Sequence, residues 1–252
     1  MSSEEIATTD EADYWCDARS PLSSLLFLLP WIAAYEVGIL FFAGDQSEGL
    51  RNGADFWMRS WLSIAGIGQI LLPILVVSAL LIWHIIRRDP WRVRLDTQAG
   101  MLAESLLLAV GLVAVGQLHD LLFRKLEAGE AADPLIVNAI SGQWTRAISF
   151  IGAGVYEEVM FRLMLVPLAF CAFRMFEFPP RGAAVMAAIS SSFIFALAHH
   201  IGPSADAFNL FTFSFRAAAG MFFAAVFLLR GIGISVGCHA AYDLLVGVLL
   251  TI

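Results

Sequence analysis

Stretches of about 20 mostly apolar residues recur along this chain, and they set its fold class before any single residue is considered. A helix of that length crosses the hydrocarbon core of a bilayer, and it is one of the few structures that can, because it satisfies its own backbone hydrogen bonds. Seven such runs are legible, at about 22–43, 61–86, 99–122, 147–172, 183–200, 208–229 and 232–252. Composition agrees. The 252 residues are 59% hydrophobic and 15% charged, with a mean hydropathy of +0.77, whereas soluble domains are about a quarter charged. The expected fold is all-α: a polytopic membrane helical bundle of about seven transmembrane helices.

Other classes fall away. The net charge is −7, with no basic run and no zinc-finger spacing, so no nucleic-acid partner is expected. The three cysteines, Cys16, Cys171 and Cys238, are far apart, which rules out a disulfide framework and any CxxC metal or redox signature. Residues 1–20 are polar and acidic and lack the basic start and immediate apolar core of a secretory signal. They are expected to form an aqueous tail. Residues 21–145 then hold the N-terminal membrane helices and an interfacial segment at 124–145, too polar to span. Residues 146–252 form the core that carries the chemistry. The loop RRDPWRVR at 87–94 is rich in arginine and is expected on the cytoplasmic side. Arginine greatly outnumbers lysine (Lys125 alone), and Ala and Gly abound. This pattern points to a bacterial inner-membrane protein.

Charges inside such runs are costly, on the order of 2.5–3.5 kcal/mol each at the bilayer centre. In the first three runs, His84, Glu104, His119 and Asp120 lie near segment ends, where interfacial water is in reach. Glu36 is deeper and is read as a hydrogen-bonding partner within the bundle. The last four runs hold Glu157, Glu158, Arg162, His199, His200, Arg216, His239 and Asp243. Groups on different helices can converge on one polar cavity.

Helical spacing sorts them. In YEEVMFRLML, Glu158 and Arg162 stand at i, i+4 and can pair. Glu157 is turned by about 100° from its neighbour and is left to face something else. In FALAHH, Phe195 and His199 share a face. In HAAYD, His239 and Asp243 do the same, and Gly233 and Gly237 before them permit close helix approach. Glutamate with histidine can deprotonate a water for attack on a carbonyl, and hydrogen-bond donors must then stabilise the oxyanion. The same residue types could instead ligate Zn²⁺ through His199, His239 and Glu157. Residue types alone leave both chemistries open.

The ordered set Glu157-Glu158-x-x-x-Arg162, Phe195-x-x-x-His199 and His239-x-x-x-Asp243 resembles the CAAX prenyl protease and bacteriocin-processing family, also called Abi or CPBP. These are multi-spanning intramembrane endopeptidases. The resemblance covers about residues 146–252. It implies Glu157 as the general base, His199 assisting it, His239 and Asp243 at the oxyanion site, and Glu158 with Arg162 as structural support. It also implies that no metal cofactor is required, with Zn²⁺ as the alternative. The partners it implies are the lipid bilayer and a membrane-associated peptide or protein substrate. One departure is Asp243, where the family often has asparagine. An aspartate donates only when protonated, so orienting His239 is its alternative role. The run boundaries also place His199 and His239 at different depths. Two rival readings use the same residues: a transporter or proton relay, and a non-catalytic bacteriocin immunity protein.

Overall fold

The structure is a computed structural model and describes residues 14–42, 51–126, 142–202 and 205–250, without the side chains of 124–126. Among these residues every regular element is helical. In chain order they are α1 (Pro21–Phe42), α2 (Gly53–Ile64), α3 (Leu72–Arg87), α4 (Leu95–Leu126), α5 (Gln143–Glu158), α6 (Val166–Met175), α7 (Pro180–Ala198), α8 (Leu210–Arg230) and α9 (Ile232–Leu244). Six helical segments are long and apolar enough to cross a membrane. The fourth expected run, 147–172, is also helical from Gln143 to Met175, but a π-helical turn at Val159–Leu165 divides it into α5 and α6.

That turn has a cause in the sequence. Pro167 has no N–H to offer the carbonyl one turn back, and its ring crowds that carbonyl. Widening the preceding turn relieves the conflict, and the Val166 N–H accordingly donates to the carbonyl of Phe161, five residues back.

The second expected run, 61–86, is not one helix. The chain forms α2, turns through Gly66 at φ +74°, and begins its span only at Gln69. The sequence AGIG breaks the helix because glycine adopts that backbone conformation without a Cβ clash. Helix α2 itself starts cleanly, with the Asn52 side chain accepting from the Asp55 N–H.

Several charges expected to face water prove to be buried or paired. Arg59, which lies just before the second expected run, is 5% exposed. Its Nε donates to Asp55, its Nη2 to Glu36 on α1, and its Nη1 to the Gln69 carbonyl, each at 2.6 Å. Glu36 is a bundle partner, as expected, and also accepts from Tyr156 at 2.5 Å. His84, expected within reach of water, is 1% exposed and packs edge-on against Trp91. Glu104 pairs with Arg230 and accepts from Tyr14. Residues 14–18 are helical, and the Arg230 guanidinium lies 3.5 Å above the Trp15 ring. Burial, and then its bond to Glu104, pushes the Tyr14 hydroxyl up to about 12. Residues 1–13 and most of the interfacial segment, 127–141, lie outside the described residues.

Helix α9 is the hub, packing on α4, α5, α8 and α1. Gly233 and Gly237 seat it against α1 and α4, where Met101 and Ser105 leave no room for a side chain. On the other face Gly154 brings α5 so close that a Cβ there would lie 2.6 Å from the backbone nitrogen of Ala240. This contact sets the distance between the Glu157–Glu158 pair and His239. Gly154→Ala is therefore expected to lower the thermal unfolding midpoint of the detergent-solubilised protein, at a cost on the order of 1–3 kcal/mol for overpacking. Gly111→Ala, at a position with nothing within 4 Å, is expected not to lower it.

Candidate active site

The site is assembled on one buried carboxylate. Glu158 closes α5, is 0% exposed, and meets Arg162 at 3.2 Å. The expected i, i+4 pair is thus present, although the π turn runs through it. Two further donors come from α9: Ser235 Oγ at 2.5 Å and His239 Nδ1 at 2.9 Å. Arg162 is equally enclosed. Its guanidinium lies 4.5 Å over the Phe195 ring, and its Nη2 donates to the Gly220 carbonyl at 3.1 Å. A buried charge without partners would shed its charge or unfold the site. Here both charges are enclosed by donors, acceptors and aromatic faces.

Glu157 points elsewhere, as helical geometry requires. Its Oε2 lies 3.9 Å from His199 Nε2 and 3.8 Å from His239 Nε2. These gaps exceed a direct hydrogen bond and are short enough for one shared water. The two histidines, expected at different depths, meet at this carboxylate. His239 sits in the middle of the last span, while His199 caps α7 and the chain turns away there. Helix α7 therefore ends at the level of the site instead of passing it.

Each ring is oriented by its other nitrogen. His199 Nδ1 bonds the Phe195 carbonyl at 2.8 Å, and His239 Nδ1 bonds Glu158. Both partners only accept, so each Nδ1 carries the proton and each Nε2 faces Glu157. Phe223 stacks flat on His239, with centroids 4.3 Å apart. Asp243 Oδ2 lies 3.6 Å from His239 Nε2, longer than a hydrogen bond. The residue that orients His239 by direct contact is thus Glu158, not Asp243.

Exposure divides the cluster into two layers. Glu158 and Arg162 are sealed, while the side chains of Glu157, Asp243 and His199 retain 13%, 19% and 25% of their exposure. His200 Nδ1 bonds the Asp206 carbonyl, and Arg216 bonds the Asp206 carboxylate. Among the described residues, no group of three or more His, Cys, Asp or Glu side chains is arranged to hold a metal ion. An apolar groove of about 320 Å³ lies between α2, the π turn and the end of α7, lined by Trp57, Trp61, Met160, Met164, Leu197 and Ile201 among others.

Sequence reasoning missed Ser235 and the Glu158–His239 bond. The spacing held a signal for the first, since Ser235 and His239 are four apart and share a face. The layering makes a prediction. Glu158→Gln leaves Arg162 without its counter-charge, and breaking a buried pair costs about 3–5 kcal/mol. The unfolding midpoint should fall well below that of wild type, whereas Glu157→Gln should shift it little.

Comparison with known proteins places this geometry in context. Residues 140–245 match the family model for type II CAAX prenyl endopeptidase Rce1-like proteins. Searches of curated proteins and of solved structures found no significant match. The matched region contains all three helical motifs of the cluster, from Glu157 to Asp243. Residues 140–245, which carry the whole cluster, are thus similar to the Rce1-like type II CAAX prenyl endopeptidases.

Proposed function

We propose that the protein is an intramembrane endopeptidase in which Glu157 activates the hydrolytic water. The observation that carries this reading is the position of Glu157 Oε2, within 4 Å of the Nε2 atoms of both His199 and His239. A water held there donates one hydrogen to Glu157 and the other to His199 Nε2. As its oxygen attacks the carbonyl carbon of the substrate, Glu157 takes the proton. The carbonyl oxygen becomes an oxyanion beside His239 and Asp243. His239 donates from Nε2 when its ring carries both protons, and Asp243 donates when its carboxyl is protonated. The carbon–nitrogen bond then breaks, and Glu157 returns its proton to the leaving amine. Water is consumed, and one acid and one amine are released. The substrate class on this reading is a membrane-associated peptide or protein, and no prenyl group is required by the residues that do the work.

The reading needs no metal. The alternative hydrolytic route would place Zn²⁺ between Glu157, His199 and His239. The transporter reading uses the same groups to move protons or solute.

The test uses the full chain in phosphatidylethanolamine/phosphatidylglycerol vesicles with an internally quenched, membrane-anchored peptide panel. General base catalysis contributes about 10²–10⁴-fold, so Glu157→Gln should lower cleavage by that order with folding intact. Cleavage should persist in EDTA. Full activity of Glu157→Gln would overturn the mechanism, and loss of activity in EDTA restored by Zn²⁺ would install the metal. Proton or solute flux without cleavage by the wild type would favour the transporter.

A further inference from the structure

Helix α2 lies outside the region matched by the family model, and its two faces are inverted relative to a helix in water. Asp55 and Arg59 face inward and are buried, while Phe56, Trp61 and Ile64 face outward. In a bilayer this arrangement is consistent, because the apolar solvent is outside and polar groups must find partners within. Arg59 supplies those partners. Three of its nitrogens bond three different segments: Asp55 on α2, Glu36 on α1, and the Gln69 carbonyl at the start of the next span. Glu36 in turn accepts from Tyr156, the residue immediately before Glu157. A continuous chain of hydrogen bonds therefore links α2 to the helix that carries the proposed base.

The same helix touches the other side of the site. Trp57 and Trp61 form one wall of the apolar groove, whose opposite wall includes Met160 on the π turn and Ala198 and Ile201 around His199. Trp57 also lies against Gly202 in the turn that follows His199, so that a Cβ there would meet its indole at 3.5 Å. Neither Glu157 nor His199 lines the groove, but their neighbours do: Met160 stands three residues after Glu157, and Ala198 immediately precedes His199. The groove is lined almost wholly by apolar atoms, and its volume suits one large apolar side chain of a substrate seated beside the bond to be cut.

Resting on the endopeptidase reading, we propose that Arg59 is a positioning residue for substrate: through Glu36 and Tyr156 it fixes the Trp57–Trp61 wall against Glu157 and so sets the preference for a bulky apolar residue. It touches neither the water nor the peptide. Its contribution is the distance between a wall and a base. Loosening the wall removes binding that substrate and transition state share, which raises KM and leaves kcat.

The experiment compares wild type, Arg59→Gln, Arg59→Lys and Glu36→Gln in the same vesicles, each also in a Trp57→Ala background. The probes are internally quenched peptides identical except for Phe or Ala beside the cleaved bond. Hydrogen exchange is followed over residues 53–64 and 199–202. Arg59→Gln should raise KM for the Phe peptide by about tenfold, leave kcat within about twofold, and barely affect the Ala peptide. Arg59→Lys should not restore the wild-type KM, because an ammonium cannot bond three fixed acceptors as a guanidinium does. In the Trp57→Ala background the Arg59 effect should vanish, since both changes act through one wall. Exchange should rise in both segments. If Arg59→Gln does not fold, Glu36→Gln carries the test, because it keeps the side-chain shape and removes the charge.

Equal losses on both peptides, additivity with Trp57→Ala, or unchanged KM would each overturn the proposal. So would rescue by lysine. If the wild type cleaves no peptide, the endopeptidase reading fails. Exchange then still decides the positioning: protection of 199–202 unchanged by Arg59→Gln refutes it, and loss of protection there sustains it.

Discussion

Everything at the site depends on the burial of the Glu158 carboxylate. Taking an ionised carboxylate out of water is permitted only if its lone pairs are met by donors. Glu158 is met by Arg162, Ser235 and His239. Those donors come from the π turn and from α9, so satisfying the charge fixes how α5 and α9 are rotated about each other. The close approach at Gly154 allows α9 to come near enough. Arg162 then extends the requirement outward, because its own guanidinium needs the Gly220 carbonyl of α8 and the Phe195 face of α7. One buried charge thus orders four segments. The direction of Glu157 follows, since it is the preceding residue on the same helix.

The two histidines show how this order becomes chemistry. Each is held through Nδ1, and each presents Nε2 to the same carboxylate oxygen. The anchors differ: His199 hangs on a backbone carbonyl at a helix end, and His239 on a carboxylate inside a packed helix. The first is partly open and borders the apolar groove. The second is buried under Phe223. On the proposed mechanism this suits the division of work, with His199 beside the incoming water and His239 at the fixed oxyanion side.

Within single helices the sequence was informative. The i, i+4 spacing identified Glu158 with Arg162, and it separated Glu157 from its neighbour. The small-residue spacing at Gly233 and Gly237 marked a packed face. Contacts between helices left less trace. The spacing of His239 and Asp243 pointed to a local pair, while the direct partner of His239 proved to be Glu158, 81 residues away. Nothing in the local sequence marks Arg59 as buried, because two of its three acceptors, Glu36 and the Gln69 carbonyl, lie outside its own helix. His84 was placed by its distance from the end of a run, and that measure does not register Trp91 folding back over it. Glycine and proline carried more than was first read from them. AGIG cut the second run, and Pro167 accounts for the π turn. Both are backbone effects that hydropathy does not record.

A hydrolase in a bilayer must reconcile two opposed needs: charges must be shielded from lipid, and water must reach one of them. On the proposed function, the exposures of the cluster answer both needs. The supporting pair, Glu158 and Arg162, is sealed and His239 nearly so, while Glu157, His199 and Asp243 are left partly open. If all six were sealed, no water could arrive. If all were open, the Glu158–Arg162 interaction would be screened to the small value of a surface pair and would no longer fix the helices. The inverted helix α2 extends the same logic to the edge of the site. Its charges are spent inward on Glu36 and the Gln69 carbonyl, which leaves its tryptophans free to wall an apolar groove opposite Met160, Ala198 and Ile201. A substrate entering there would meet hydrocarbon-like contacts along Trp57 and Trp61 before its peptide bond reached Glu157.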